Sequence, residues 1–148
     1  MVETKSQLLV NRLLTLVRAQ RRSSHRIRQD YGIGGRQLSA LRFLVDSGPQ
    51  SVGQISRYLW VRDATTSPML ERMERAGVVT RTRSVKDNRR VIVEATPKGH
   101  QIAQDAPLGP MNLLRERLPG LPDEELDALI AALNRIIEIA EIDSEHSA

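Results

Sequence analysis

Arginine carries most of the chemistry that this sequence offers. It supplies 19 of the 22 cations, and its planar fork suits phosphate oxygens and the acceptor edge of guanine. The charges are unevenly distributed. Residues 1–56 hold nine cations against three anions, residues 57–100 ten against five, and residues 101–148 three against ten. The formal net charge is +4, with a basic first two-thirds and an acidic last third. A phosphate backbone selects for such a basic region. A compositional bias toward arginine would leave the segregation unexplained.

Other chemistries lack residues to carry them. There is no cysteine, which removes disulfides, thiolate metal sites and thiol redox sensing together. His25, His100 and His146 are scattered, with no carboxylate at metal-ligand spacing, so neither a metal nor a cofactor is expected. No glycine-rich phosphate loop runs into Lys and Ser/Thr, and no histidine pairs with a nucleophile in a known motif. Glu124-Glu125 reads as the acidic start of a helix, which the helix dipole favours. The expectation is a protein that is not an enzyme. No stretch reaches the ~18 apolar residues of a membrane span. The opening Met1-Val2-Glu3-Thr4-Lys5 lacks a signal-peptide pattern. A cytoplasmic protein with no membrane contact is expected.

The elements that must position the arginines follow from periodicity. Leu8, Leu9, Leu13, Leu16 and Val17 predict a helix over 5–29, broken at Tyr31-Gly32-Ile33-Gly34-Gly35. A second is expected over about 36–46. A third begins near Ser51, a cap with Gln54 in capping-box position, and runs to about Leu59. A turn at 60–63 leads to a fourth helix ending at Ala76, where Gly77 is the expected stop. Two strands, 78–83 and 90–95, flank a charged turn over 84–89. Thr96-Pro97 opens a fifth helix, with a break expected at Pro107, Gly109 and Pro110. A last helix starts at Leu121-Pro122-Asp123. The core must be aliphatic, because Tyr31, Phe43, Tyr58 and Trp60 are the only aromatics; Phe43, Tyr58 and Trp60 are read as core.

The fold class expected is therefore mostly α with a small β-hairpin wing. Two short helices joined by a tight turn make a helix-turn-helix, whose second helix enters the major groove. The hairpin behind it has a charged tip suited to phosphates or a minor groove. Leu-Glu-Arg-Met-Glu-Arg-Ala-Gly-Val-Val-Thr-Arg at 70–81, Asp-Asn-Arg-Arg at 87–90 and Ala-Thr-Pro-Lys-Gly at 95–99 resemble the signature of the multiple-antibiotic-resistance regulator (MarR) family. The resemblance covers nearly the whole chain. It implies a homodimeric transcription regulator, in the main a repressor, that binds a palindromic operator in double-stranded DNA. It also implies release by a small, often aromatic or phenolic, ligand.

Carried onto this chain, the resemblance places a winged helix at 36–99 and dimerisation helices at 5–29 and 100–141. Thr65, Thr66 and Ser67 would face bases, Arg62 and Arg72 phosphates. Arg89 would enter the minor groove from the wing tip, which Lys86 shares, and Arg90 would support the wing or touch backbone. Asp87 would orient an arginine and so support the wing. Pro68 departs from the family pattern. Either the recognition helix starts at Asp63 and carries Pro68 in its second turn, at the loss of a hydrogen bond, or Ser67 caps a shorter helix. The alternative function is a winged helix used as a protein-interaction module without DNA binding.

Overall fold

Side-chain caps and glycines set the element boundaries. The computed structural model describes residues 2–87 and 89–143. Helix α1 spans Lys5–Tyr31. The Thr4 hydroxyl accepts from the Gln7 backbone N–H at 3.2 Å, and the Gln7 side chain accepts from the Thr4 N–H at 2.9 Å, a reciprocal capping box. Helix α2 covers Gly35–Ser47, β1 Gln50–Ser51 and α3 Val52–Leu59. The predicted Ser51–Gln54 capping box is present, with contacts of 3.2 and 2.8 Å. Helix α4 covers Asp63–Arg75, β2 Val79–Arg83, β3 Val91–Ala95 and α5 Pro97–Asp105. The expected break follows, and the chain resumes as α6, Pro110–Arg117, and α7, Asp123–Ile139.

The sheet holds one more strand than the hairpin that the sequence suggested. β3 lies between β2 and the two-residue β1, antiparallel to both, with Gln50 opposite Val93 and Arg83 opposite Val91. Two residues show no period, so β1 is invisible to a pattern of alternation. Its pairing ties the start of α3 to the wing.

The core lies among α2–α5 and the sheet. Leu38, Leu41, Ile55, Leu70, Met73, Val78 and Val93 are fully buried there, with Ile27 from α1 against them. Helix α4 starts at Asp63 and runs unbroken through Pro68, the longer of the two alternatives. Interior proline costs a helix about 3 kcal/mol. Burying Met69, Leu70 and Met73 returns about 1.5–3 kcal/mol each, so packing outweighs the proline.

The outer helices are different. In α1 only Ile27 is buried, and Leu9, Val10, Leu16 and Val17 are exposed. No residue of α7 is buried, although Leu129, Ile130, Leu133 and Ile137 line it. Among the described residues, no helix is long and apolar enough to cross a membrane.

A polar joint links the core to α1 and α6. Ser24 Oγ accepts from the Gly35 N–H at 3.1 Å, while Gln20 Oε1 accepts from the Met111 N–H at 3.3 Å and so ties α1 to α6. The buried Ser39 hydroxyl donates to Asn112 Oδ1 and accepts from Arg115 Nη1, the latter at 3.0 Å.

Candidate nucleic-acid interface

Helix α4 begins at Arg62, its N-cap, and buries Thr66, Met69, Leu70 and Met73. The opposite face is exposed and carries Thr65, Pro68, Arg72 and Arg75 at helical spacing. Ser67 lies between the two faces, half-buried. Arg75 was not singled out from sequence, although its three-residue step from Arg72 is the signal for a shared face.

Thr66 does not fit the role expected of it. It is wholly buried, its Oγ1 accepting from Ser56 Oγ at 2.8 Å and donating to the Arg62 carbonyl at 3.2 Å. The hydroxyl is spent inside the helix-turn-helix, holding α3 against α4, so it has nothing to offer a base. Three consecutive residues cannot all share one face of a helix, and Thr66 is the one turned inward.

The wing follows directly. Gly77, at φ +76°, turns the chain out of α4. Arg81 on β2 then reaches back to Glu74: its backbone N–H donates to Oε2 at 3.0 Å, and its Nη2 to Oε1 at 3.1 Å. These bonds favour the ionised carboxylate and hold the Glu74 pKa below its ordinary value. Arg81 is thus a strut between recognition helix and wing.

The tip runs from Ser84 to Arg90, closed by the Ser84 N–H to Arg90 carbonyl bond at 2.8 Å. Lys86, Arg89 and Arg90 are all exposed on it. The Asp87 carboxylate accepts from the Arg89 backbone N–H at 3.0 Å, and the Asp87 carbonyl from the Arg90 N–H at 2.9 Å. Asp87 therefore shapes the turn that presents Arg89.

The aromatic residues also divide unexpectedly. Phe43 and Tyr58, read as core, stack at 4.2 Å and are only half-buried against it, with the Arg115 guanidinium 5.5 Å from the Tyr58 ring. Burial raises the Tyr58 pKa, and the charge of Arg115 opposes that rise. Trp60, read as core, is 74% exposed in the turn between α3 and α4. Its φ of 57° and ψ of 47° are left-handed, and that geometry directs the indole away from the interior.

These elements define a winged helix-turn-helix protein, with a polar, arginine-bearing recognition helix and a basic wing. The family model for the MarR family matches residues 35–91. YkoM, an HTH-type transcriptional regulator of Bacillus subtilis, is 30% identical over 128 residues, covering 84% of this chain and 79% of that protein. The chain belongs to the MarR family of transcriptional regulators. The structure of the transcriptional regulator BldR from Sulfolobus solfataricus superposes with a TM-score of 0.60 at 27% identity, over 93% of this chain and 99% of that one. Overoxidised AbfR bound to DNA matches with a TM-score of 0.60 at 25% identity, over 94% and 99%.

Proposed function

We propose that the chain acts in the cytoplasm as a homodimeric, sequence-specific repressor of a palindromic operator, tuned by a small ligand. One observation carries this reading. The same chain presents a polar recognition face and a basic wing on its core, while α1 and α7 leave apolar faces uncovered. Pairing α1 and the region from 100 to 141 with a second copy would cover those faces. It would also place two recognition helices about one DNA turn apart, matching a two-fold site. The winged helix over 36–99 is the reading head. Thr65 and Ser67 face bases, Arg62, Arg72 and Lys86 the phosphates, and Arg89 the minor groove, with Arg90 supporting the wing. AbfR was crystallised on DNA with the same fold. A small aromatic ligand that binds one head spacing better than another would shift the population by its differential affinity.

Selection of bound duplexes from a random library, with affinity followed against salt, tests the reading. A palindrome with a steep salt slope is expected, and a discrimination of about 10³ or more over random DNA. Equal affinity for all sequences identifies a non-specific binder. No enrichment identifies a protein-interaction module.

A further inference from the structure

Among the described residues, Trp60 is the aromatic that the fold leaves in solvent. Phe43, Tyr58 and Tyr31 are half-buried, whereas Trp60 is 74% exposed. Its backbone is left-handed, at φ 57°, a region that bulky residues rarely occupy. Glycine would make this turn with less strain, and a polar residue would make it with less apolar surface in water. Folding thus gives no reason for an indole here, and such an outlier directs attention to function.

The position supplies the reason. Trp60 stands two residues before Arg62, the N-cap of α4, between the exposed side chains of Arg57 and Arg62. At about 3.5 Å per residue, it lies within roughly 10 Å of the start of the recognition helix. The first turns of that helix are those that enter the major groove. An indole offers a flat apolar surface and a single N–H donor, without charge. The wall of the groove offers deoxyribose faces and phosphate acceptors.

We propose that Trp60 contacts DNA: its indole packs on the sugar–phosphate wall beside α4, and its Nε1–H donates to a phosphate oxygen. The inference rests on the reading of α4 as the recognition helix. Contacts of this kind fix register and carry no sequence information. The contact is also neutral, so it releases no counterion. Its loss lowers affinity without changing the salt slope, whereas loss of a phosphate-bound cation lowers that slope by about 1.

Trp60→Gly and Trp60→Phe test the proposal on the duplex recovered by selection. For Trp60→Gly, affinity falls about tenfold, equally on matched and mismatched duplexes and with an unchanged salt slope. Its Tm stays level or rises, because the left-handed strain is relieved. Trp60→Phe keeps the packing, loses the N–H and falls between. In the unaltered protein, whose only tryptophan is Trp60, the duplex shields the fluorescence from acrylamide. Unchanged affinity in Trp60→Gly alongside weakened binding in Arg89→Ala overturns the proposal and leaves the recognition-helix reading intact. A Tm that falls with the affinity assigns the indole to folding, and a change in dimer mass without DNA assigns it to a contact between copies; both overturn it. Recovery of no duplex removes the recognition-helix reading and this inference together.

Discussion

Gly99→Ala tests the seating of the wing root. A Cβ at Gly99 would stand 2.2 Å from the Val78 carbonyl oxygen, 3.2 Å from the Val78 carbonyl carbon and 3.0 Å from Leu41 Cδ1. The main obstacle is backbone, which cannot rotate aside. To reach ordinary contact near 3.4 Å, α5 must withdraw from Val78 by more than 1 Å. The Val78 carbonyl also accepts from the Thr96 N–H at 3.0 Å, and that bond stretches with it. Overpacking costs about 1–3 kcal/mol and the stretched bond about 1, while alanine regains up to about 1 in helix propensity. The net loss is about 1–4 kcal/mol. At about 2–4 °C per kcal/mol for a chain of this length, Tm falls by roughly 2–16 °C. Thermal unfolding by far-UV circular dichroism reads this, at matched protein concentration because dimers melt by mass action. A Tm within about a degree of the parent would refute the close approach of α5 to Val78.

Three further outcomes follow from the site. The lowered pKa of Glu74 means that its bonds to Arg81 stabilise the fold fully above the ordinary carboxylate pKa, and less as pH falls through the lowered one. The difference in urea midpoint between parent and Glu74→Gln should therefore be present near neutrality and shrink as pH falls below the ordinary carboxylate range; a difference constant with pH contradicts the assignment. Thr66→Val should cost about 1–2 kcal/mol by leaving Ser56 without its acceptor, and should leave the selected DNA sequence unchanged. An altered sequence preference would return Thr66 to the bases. Arg115→Ala removes the bond to Ser39 and the contact with Tyr58, a loss of about 1–3 kcal/mol in chemical denaturation. Arg115→Lys should recover only part of it, since a single ammonium does not reproduce the flat fork.

Helix-terminal chemistry and aliphatic periodicity made most of the fold legible. Thr96-Pro97, Gly77 and the Ser51–Gln54 pair each mark a boundary through local bonds that need no distant partner. What stayed hidden depends on contacts far apart in the chain. Strand β1 exists only because β3 lies beside it. The burial of Thr66 depends on Ser56 from another helix. Arg81 reads like any other wing arginine until Glu74 is placed opposite. Trp60 misled for a related reason: hydrophobicity predicts burial on average, but a left-handed turn decides direction regardless of side-chain type. The exposed face of α4 was legible as a pattern, but which threonine it excluded was not.

The polar character of the joint bears on how a small ligand could work. Apolar surfaces slide past one another at little cost, whereas hydrogen bonds are directional. The core meets α1 and α6 through Ser24–Gly35, Ser39–Asn112, Arg115–Ser39 and Arg42–Glu116, and Gln20–Met111 ties α1 to α6. Such a joint favours a few discrete angles over a continuum. Each bond contributes about 0.5–1.5 kcal/mol net, so re-forming the four in another register involves about 2–6 kcal/mol. Moving a two-state equilibrium from 1:99 to 99:1 takes about 5.5 kcal/mol of differential binding. If a small ligand tunes the head spacing, as proposed above, a joint of this strength would hold one spacing without it and yield to a ligand that prefers another. Ser39→Ala should loosen it, lowering the effector concentration needed for half-release of DNA; a variant with unchanged release would place the moving element elsewhere than this joint.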